Sequence, residues 1–399
     1  MGGEEENCAG YLSANSMAGI WQEHSFRGAQ LQGAPLPAKA DVVVVGAGIV
    51  GLFTALHHKR AHGSHRVVVL ERGNGPDGAS VRNAGFACFG SPSELLADVA
   101  KEGEATAMAR VEERWRGLLE LRRELGDERI GFEPTGGHEL FGEADPLYTK
   151  VAEGFDRLNG SLHSIFGQRV YEWRDGRKSD LGLNTGHLAF TALEGPIHTG
   201  RMMRTLLAKT LEAGVDVVFG SEVQNIAEDR NGAVLGMKDG SQLSCAIVVV
   251  ATNGYACELI PDVDVVPARG QVLLTAPIAG LHLRGTFHAN EGFYYFRDFE
   301  GGVLLGGGRH LDVVGESTTE DATTPLIQAD LERMLSDVIL PNTAFTISHR
   351  WSGIMGFRKK GKTPLVDFVS PRVVAAVGLS GMGVAIGIRV ARKAADLLR

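Results

Sequence analysis

The sequence predicts an α/β protein of two interleaved parts, one built on a parallel sheet and one, of α+β type, built on an antiparallel sheet. The stretches 42–73, 199–255 and 372–398 combine buried β-branched runs, glycine turns and amphipathic helices, a pattern typical of parallel sheets. Between 266 and 347, short aromatic and glycine-rich segments indicate antiparallel meander strands. Because the two patterns alternate along the chain, we expect both parts to be discontinuous.

The composition favours a soluble globular chain with about two domains. Of 399 residues, 44% are hydrophobic, 22% are charged and 53 are glycine, as in α/β proteins with many close backbone approaches. A net charge of -8 and a pI near 5.9 argue against nucleic acid as a partner. No apolar run reaches the roughly 18 residues that a membrane span needs, and the acidic N-terminus lacks a signal-peptide pattern. We therefore expect a cytoplasmic protein without a membrane span.

The four cysteines do not suggest a metal site or a disulfide framework. Cys8, Cys88, Cys245 and Cys257 show no C-x-x-C spacing, and no histidine cluster lies beside them. Both features are typical of zinc sites. We expect reduced thiols and no bound metal.

The patterns also predict where the parts begin and end. Residues 1–39 are rich in glycine, alanine and polar residues and end in Pro35 and Pro37, which indicates an irregular arm; Trp21 is its candidate anchor. The parallel-sheet part is assigned residues 40–98, 196–265 and 346–399, and the antiparallel-sheet part residues 99–195 and 266–345.

A glycine motif near residue 46 predicts dinucleotide binding. Gly46, Gly48 and Gly51 form G-x-G-x-x-G between a strand and a helix, and Ala55 follows where a small residue permits close packing. The glycines allow a tight turn and let the backbone approach a pyrophosphate at the helix N-terminus. Glu71 ends the next strand, 20 residues after Gly51, where a carboxylate can accept hydrogen bonds from ribose hydroxyls.

The stretch after Glu71 distinguishes between dinucleotides. "ERGNGPDGASVRNAGFACFG" has too few bulky residues for another helix of a simple nucleotide-binding repeat. Small residues of this kind let the backbone approach a large flat ring. The stretch therefore favours FAD over NAD.

Together these motifs resemble the D-amino-acid oxidase, glycine oxidase and sarcosine oxidase superfamily of flavoproteins, in particular its bacterial amine-oxidising branch. The resemblance spans about residues 40–399. It is carried by the first glycine turn, Glu71-Arg72, "GAS" and "RNAG" at 78–85, Val223, "VVVATNGY", "ARGQ" at 268–271, "WSG" and the final "GLSGMGV". It implies a Rossmann-type FAD-binding domain, of the glutathione-reductase type, interleaved with an α+β substrate domain on an antiparallel sheet.

The resemblance also implies which residues contact FAD. They are Gly46, Gly48, Ile49, Val50 and Gly51 at the first turn, Glu71 and Arg72 at the adenosine ribose, Ala79, Ser80, Asn83, Ala84 and Gly85 along the pyrophosphate, ribityl chain and ring, Val223 at the adenine, Ala251, Thr252 and Gly254 at a second strand end, and Gly381, Met382, Gly383 and Val384 at the last turn. The amides of Met382, Gly383 and Val384 would place partial positive charge beside a reduced flavin. For Val223, an ordinary core position is the alternative.

The implied reaction removes a hydride from a carbon that bears an amine. The flavin is then reoxidised by oxygen or another acceptor, with an imine and hydrogen peroxide as products in the case of oxygen. Such a reaction needs an uncharged amine, which a dry aromatic pocket favours. Because strand neighbours point to opposite faces, only one of Tyr294 and Tyr295 should face the flavin, and Tyr295 is our candidate; core packing is the alternative for both.

Several cationic side chains are candidates for the substrate pocket. Arg309 follows three glycines and is the first candidate to bind an acid group of the substrate. Structural ion pairs are the alternative for Arg309 and for the nearby Arg269 and Arg297. His288 and His349 are candidate proton-transfer or oxygen-activating groups, with structural roles as the alternative. The basic run at 358–362 indicates a solvated loop.

The sequence departs from the glycine-oxidase branch at one position. The family places a W-x-G motif beside the ring, which makes Trp351 a candidate site residue. Two residues after that glycine, the branch has an arginine that binds the substrate carboxylate, whereas this chain has Met355. A thioether cannot pair with a carboxylate. Either Arg309 binds an acid substrate, or the substrate is an amine without an α-carboxylate.

Two other functions stay open on the sequence. One is a flavin dehydrogenase of a small hydroxy acid or amine that passes electrons to a quinone or protein. The other is a flavin-binding interaction module without turnover. The cofactor is expected to be non-covalent, because a buried cysteine such as Cys88 usually acts as a small hydrophobic residue; a thioether to Cys88 is the alternative.

Overall fold

Two eight-stranded sheets, one mainly parallel and one mainly antiparallel, organise the chain. The computed structural model describes residues 19–26 and 33–398. The helices are α1 Ile20–Phe26, α2 Ile49–Ala61, α3 Pro92–Glu102, α4 Glu104–Leu125, α5 Asp127–Ile130, α6 Pro146–Phe166, α7 Thr199–Glu212, α8 Pro325–Met334 and α9 Gly383–Asp396.

The strands follow the two predicted patterns. They are β1 Lys39–Val45, β2 Val67–Leu70, β3 Phe86–Ala87, β4 Gly137–Phe141, β5 Glu172–Trp173, β6 His187–Thr191, β7 Gly195–Pro196, β8 Asp216–Val218, β9 Val223–Glu228, β10 Ala233–Met237, β11 Gln242–Val250, β12 Val266–Thr275, β13 Thr286–Ala289, β14 Tyr294–Phe299, β15 Gly302–Gly307, β16 Ile347–Phe357, β17 Leu365–Ser370 and β18 Val373–Val377.

The first sheet has the order β17-β18-β11-β1-β2-β8, with β10 and β9 attached to β11. Strand β1 lies parallel to both β2 and β11. Its valines alternate: Val42 and Val44 pack with residues of α2, α7 and α9, whereas Val43 and Val45 pack with β10 and β18. Because both faces are covered, the strand is an unbroken apolar run.

The second sheet has the order β16-β12-β15-β14-β13-β4-β6-β5. Its pairings are antiparallel except for β13 with β4, so the predicted antiparallel sheet contains one parallel pair. Phe287 of β13 and Phe296 of β14 stack with their ring centroids 4.9 Å apart. Ile327 and Leu331 of α8 belong to the same apolar cluster. The third sheet pairs β3 with β7.

Strand β16 corrects the predicted boundary at residue 346. That boundary assigned the strand to the parallel-sheet part, but β16 pairs with β12 from Ile347 opposite Thr275 to Phe357 opposite Val266. The chain therefore returns to the first sheet only after Phe357. The rest of the proposed division into residues 1–39, 40–98, 99–195, 196–265 and 266–345 remains a prediction.

Two local expectations about helices were also wrong. The charged pattern from 92 to 125 is two helices, because Gly103 between them has a φ of +85°, a value that favours glycine. The N-cap of α7 is His198, whose Nδ1 accepts a hydrogen bond from the Arg201 N–H, and not Thr199.

Trp21 anchors the N-terminal arm as expected. Its side chain is fully buried and stacks edge-on against Phe299, with centroids 4.5 Å apart. The remainder of the arm, residues 1–18 and 27–32, lies outside the described residues, as does Cys8.

Over the described ranges, the longest helices are too polar to span a bilayer. Within the same ranges, no cluster of three or more histidine, cysteine, aspartate or glutamate side chains has a geometry suited to a metal ion.

We predict that Glu316→Ala destabilises the protein strongly. Arg269 on β12 donates from Nε and Nη2 to the Glu316 carboxylate at 3.0 and 2.8 Å, and both side chains are almost fully buried. Removal of Glu316 leaves a buried guanidinium without its carboxylate partner, which costs about 3–5 kcal/mol in the free energy of unfolding. Urea-induced unfolding measures the loss.

Glu320→Ala is the matched control. This carboxylate lies 3.7 Å from the same guanidinium and is 75% exposed, so its loss should cost less than about 1 kcal/mol. Equal losses for the two variants would contradict the assignment of Arg269 to a structural ion pair.

Candidate active site

A deep cavity extends from the carboxyl ends of β1, β2 and β11 to the strands β14, β15 and β16 of the second sheet. The carboxyl edge of a parallel sheet is where α/β proteins bind nucleotides. The cavity therefore has a first end formed by the parallel sheet and a second end formed by the antiparallel sheet.

At the first end, a glycine turn joins β1 to α2. Gly46 has a φ of +104°, and its N–H donates to the Leu70 carbonyl at 2.8 Å. A Cβ at Gly51 would overlap the carbonyl oxygen of Gly46. Helix α2 begins without an acidic residue and without a side-chain cap, so its N-terminus keeps its partial positive charge.

Glu71 ties the glycine turn to the next strand. Its carboxylate accepts hydrogen bonds from the Ala47 N–H at 2.9 Å and the Gly73 N–H at 3.0 Å. Burial raises the pKa of Glu71, and the two amide bonds oppose that rise. Beside it, the Arg72 guanidinium lies over the Tyr255 ring, 4.0 Å from the centroid. These side chains line the wall where an adenosine ribose is expected.

The loop 78–85, called the cofactor loop here, covers the turn. Ser80 Oγ accepts a hydrogen bond from the Ile49 N–H at 3.0 Å. The Asn83 side chain donates to the carbonyls of Ala79 and Ser80 and accepts from the Gly85 N–H. Asn83 thus organises the loop internally.

The start of α9 faces the same cavity. Helix α9 has no acidic residue in its first turn and no side-chain cap. One expectation is wrong here, because the Met382 N–H donates to the Leu379 carbonyl at 3.0 Å. The helix therefore offers the amides of Gly383 and Val384, but not that of Met382.

The second end of the cavity is largely aromatic. Tyr295 lines it, as do Phe86, Phe293 and Phe357. Tyr294 points to the other face of β14, where its hydroxyl donates to Asp330 at 2.5 Å. Burial raises the pKa of Tyr295 to about 12, so the phenol stays protonated near neutral pH.

Four of the five predicted substrate-side residues meet at this end: Tyr295, Arg309, His288 and Met355 line the cavity. Burial lowers the pKa of His288 to about 4, so its imidazole is neutral at pH 7. Arg309 lies 4.7 Å from the Phe357 centroid, and burial lowers its pKa. In the described part of the chain, no carboxylate forms an ion pair with Arg309.

Trp351 is not brought to the cavity, which corrects its predicted place beside the ring. The indole is fully buried behind the cofactor loop, and its Nε1 donates to the Arg82 carbonyl at 2.9 Å. Trp351 lies on the face of β16 opposite the cavity, whereas Ile354 and Met355 of the same strand line it.

Other candidates have structural partners. Arg297 donates to the carbonyls of Gly85 and Ile197, and Arg269 pairs with Glu316. His349 Nε2 lies 3.9 Å from Glu23 and does not line the cavity.

Sequence reasoning missed Glu94 and Lys362, which both line the second end. Lys362 Nζ lies 3.2 Å from Glu94 and 2.7 Å from Asp98. Burial would raise the pKa of Glu94, but the Arg114 guanidinium and Lys362 outweigh it and lower the pKa to about 2. The basic run was the only signal, and it suggested a solvated loop because the partners lie more than 260 residues away.

The comparison with protein families decides the relationship. A model described as "FAD dependent oxidoreductase", DAO, matches residues 41–397. The chain belongs to the DAO family.

Solved structures share the fold of this DAO chain at low sequence identity. L-proline dehydrogenase from P. horikoshii is 20% identical, with a TM-score of 0.72 over 91% of this chain and 94% of that one. Glycine oxidase from Geobacillus kaustophilus is 21% identical, with a TM-score of 0.69 over 91% and 95%. L-amino acid deaminase from Proteus vulgaris is 20% identical, with a TM-score of 0.69 over 93% of each chain. Among curated proteins, no match was found.

The first end of the cavity fits the FAD of a DAO enzyme. Two helix N-termini without acidic residues suit an anionic pyrophosphate, and the Glu71 carboxylate suits a ribose. The predicted cofactor residues that line the cavity are Gly46, Gly48, Ile49, Val50, Glu71, Arg72, Ala79, Ser80, Asn83, Ala84, Val223, Ala251, Thr252, Gly381, Met382, Gly383 and Val384.

Three predicted cofactor residues do not line the cavity of this DAO chain. A Cβ at Gly254 would overlap the Met355 carbonyl, and one at Gly85 would lie 2.5 Å from the Ile197 carbonyl. Together with Gly51, these glycines allow neighbouring backbone segments to pack closely. They shape the site from behind, which corrects their predicted direct contact with the cofactor.

We predict that Gly51→Ala abolishes FAD retention. The added methyl group overlaps backbone at Gly46, and relief requires α2 to move away from β1. Overpacking of this kind also costs about 1–3 kcal/mol in stability. Visible flavin absorbance of the purified protein, relative to protein absorbance, measures retention.

The control is Gly63→Ala, just beyond the other end of α2, where a Cβ meets nothing within 4 Å. It should retain FAD fully. Normal FAD content in Gly51→Ala would show that the turn is looser than the structure indicates.

Proposed function

We propose that this enzyme oxidises the CH–NH bond of a small amino acid or amine, and that Arg309 binds an acid group of the substrate. The observation that carries the proposal is the Arg309 guanidinium at the aromatic end of the FAD cavity, without an ion-pair partner among the described residues. Glycine oxidase, L-proline dehydrogenase and L-amino acid deaminase, which share the fold, are named for amino-acid substrates.

Arg309 is suited to a carboxylate for three reasons. Its fork of N–H groups matches a carboxylate in geometry. Gly306, Gly307 and Gly308 precede it, and Gly308 has a φ of +74°, so the backbone turns sharply before the side chain enters the cavity. Arginine also remains charged when burial lowers its pKa, because the starting value is very high.

The pocket around Arg309 would favour an uncharged amine. Tyr295 and His288 are both neutral at pH 7 according to their shifted pKa values, and Phe86 packs edge-on to His288 with centroids 5.1 Å apart. Desolvation of a substrate ammonium beside these rings lowers its pKa. The pocket thus promotes loss of the amine proton without a dedicated base.

When bound, FAD would supply the two-electron acceptor at N5 for the hydride that leaves the substrate carbon. The substrate then becomes an imine, and its amine proton passes to solvent. Oxygen is the proposed final acceptor, reduced to hydrogen peroxide. Arg309 and the aromatic walls hold the substrate carbon and exclude water.

We propose that FAD is held without a covalent bond. Cys88 lines the cavity, but burial raises the pKa of its thiol well above the usual range. A protonated thiol is a poor nucleophile.

An anaerobic screen tests the reaction class. Amines, N-methyl amino acids, D- and L-amino acids and small hydroxy acids are mixed with the enzyme, and bleaching of the flavin absorbance is recorded. We expect bleaching by an amino acid or amine and peroxide formation when air is admitted. Bleaching by hydroxy acids alone would refute the proposed substrate class, and bleaching without peroxide would refute oxygen as the acceptor.

We predict that Arg309→Ala lowers kcat/KM for a carboxylate-bearing substrate by about 10- to 100-fold, the loss expected for charge-assisted hydrogen bonds. The decrease should appear mainly in KM, and an amine without a carboxylate should be affected little. Steady-state oxidation kinetics with the two substrates measure the difference.

Arg284→Ala is the control, because Arg284 is 72% exposed and pairs with Asp298. It should leave both substrates unaffected. If Arg309→Ala changed nothing while Met355→Arg improved activity on small amino acids, the assignment to Arg309 would be wrong.

We also predict that kcat/KM rises with pH in step with one ionisation, that of the substrate amine. His288 and Tyr295 have pKa values of about 4 and about 12, so neither changes charge between those values. His288→Asn should therefore keep the apparent pKa of the profile. A shift of that pKa by one unit or more would identify His288 as the titrating group.

A further inference from the structure

Two indole rings from distant parts of the sequence hold successive carbonyl groups of the cofactor loop. Trp21 Nε1 donates to the Asn83 carbonyl at 2.5 Å, and Trp351 Nε1 donates to the Arg82 carbonyl at 2.9 Å. Both rings are fully buried in one apolar cluster, and neither lines the cavity. They contact the loop from the side away from the cofactor site.

These two bonds fix the direction of two N–H groups. A planar, trans peptide unit points its carbonyl and its N–H in opposite directions. The indole on the Arg82 carbonyl therefore turns the Asn83 N–H away from Trp351, and the indole on the Asn83 carbonyl turns the Ala84 N–H away from Trp21.

That direction matters because Asn83 and Ala84 both line the cavity. Within the described chain, neither backbone N–H donates to another group. Two hydrogen-bond donors without protein partners are thus presented on the side where FAD binds.

Helix α1 is seated firmly enough to position Trp21. At Gly200 of α7, a Cβ would lie 2.5 Å from the Trp21 carbonyl, so the two helices are in close contact. Gln22 Nε2 donates to Asp77 Oδ1 at 2.5 Å, and Asp77 pairs with Arg82 of the loop. The helix therefore contacts both the carbonyl and the start of the cofactor loop.

We propose that Trp21 and Trp351 are positioning residues for FAD, which aim the Asn83 and Ala84 amides at the bound cofactor. Indole suits the task, because its ring fills apolar space while its single N–H can only donate. In a dry cluster, a carbonyl held in this way cannot rotate toward water without losing its bond. The loop is thereby ordered before the cofactor arrives, which lowers the cost of binding.

The test uses Trp21→Phe and Trp351→Phe, which keep an aromatic ring and remove the N–H. The full-length apoprotein is titrated with FAD, and Kd is measured by flavin fluorescence. Each variant should raise Kd by about 3- to 10-fold, the range of one hydrogen bond, and the double variant should raise it further. At saturating FAD, kcat and KM should match the wild type within about twofold.

Trp173→Phe is the matched control, because that ring packs on Phe155 and Tyr148 and has no contact with the loop. Its Kd should equal that of the wild type. The proposal is overturned if both test variants keep the wild-type Kd while the apoprotein Tm falls, or if Trp173→Phe raises Kd equally. A fall in kcat at saturating FAD with unchanged Kd would also overturn it.

A second measurement needs no variant. In hydrogen–deuterium exchange of the wild-type protein, addition of FAD should slow exchange at the Asn83 and Ala84 amides. Unchanged exchange at both positions would show that these amides do not bind the cofactor, even if the tryptophan variants fail to fold.

Discussion

The close approach of helix α2 to the end of strand β1 is the contact on which the cofactor site depends. It exists because position 51 has no side chain, and it brings an uncapped helix N-terminus to the carboxyl edge of the sheet. Every other element of the first end is placed relative to this turn. Glu71 is bonded to it through Ala47, Ser80 through Ile49, and α9 packs against it at Gly387, where a Cβ would lie 2.5 Å from Ile49.

The two ends of the cavity solve different electrostatic problems. The first end attracts an anion by means of backbone dipoles, which need no counterion and no rearrangement. The second end is kept dry and almost neutral by aromatic rings, with Arg309 as its cation and Glu94 already matched by Arg114 and Lys362. A small substrate therefore meets a single strong anchor, and the rest of the wall excludes water from the reacting bond.

Local patterns were enough to predict the elements that carry FAD. The β1–α2–β2 unit, the strand-turn-helix of β18 and α9, and the alternation of Tyr294 and Tyr295 each depend on residues close together in sequence. The exceptions depend on distant contacts. The pairing of β16 with β12 moved Trp351 behind the loop, the partners of Lys362 lie on α3, and the amide of Met382 is used by a tight turn at Leu379. None of these leaves a periodic signal in the sequence.

Helices α2 and α9 lie side by side although more than 320 residues separate their first turns. On a ribosome, the glycine turn is made early, yet its neighbour emerges among the last residues of the nascent chain. Closure of the site over so long a loop is entropically expensive and slow. FAD capture therefore belongs to the end of synthesis, and a chain that stalls before α9 exposes the apolar face of α2 to chaperones and proteases.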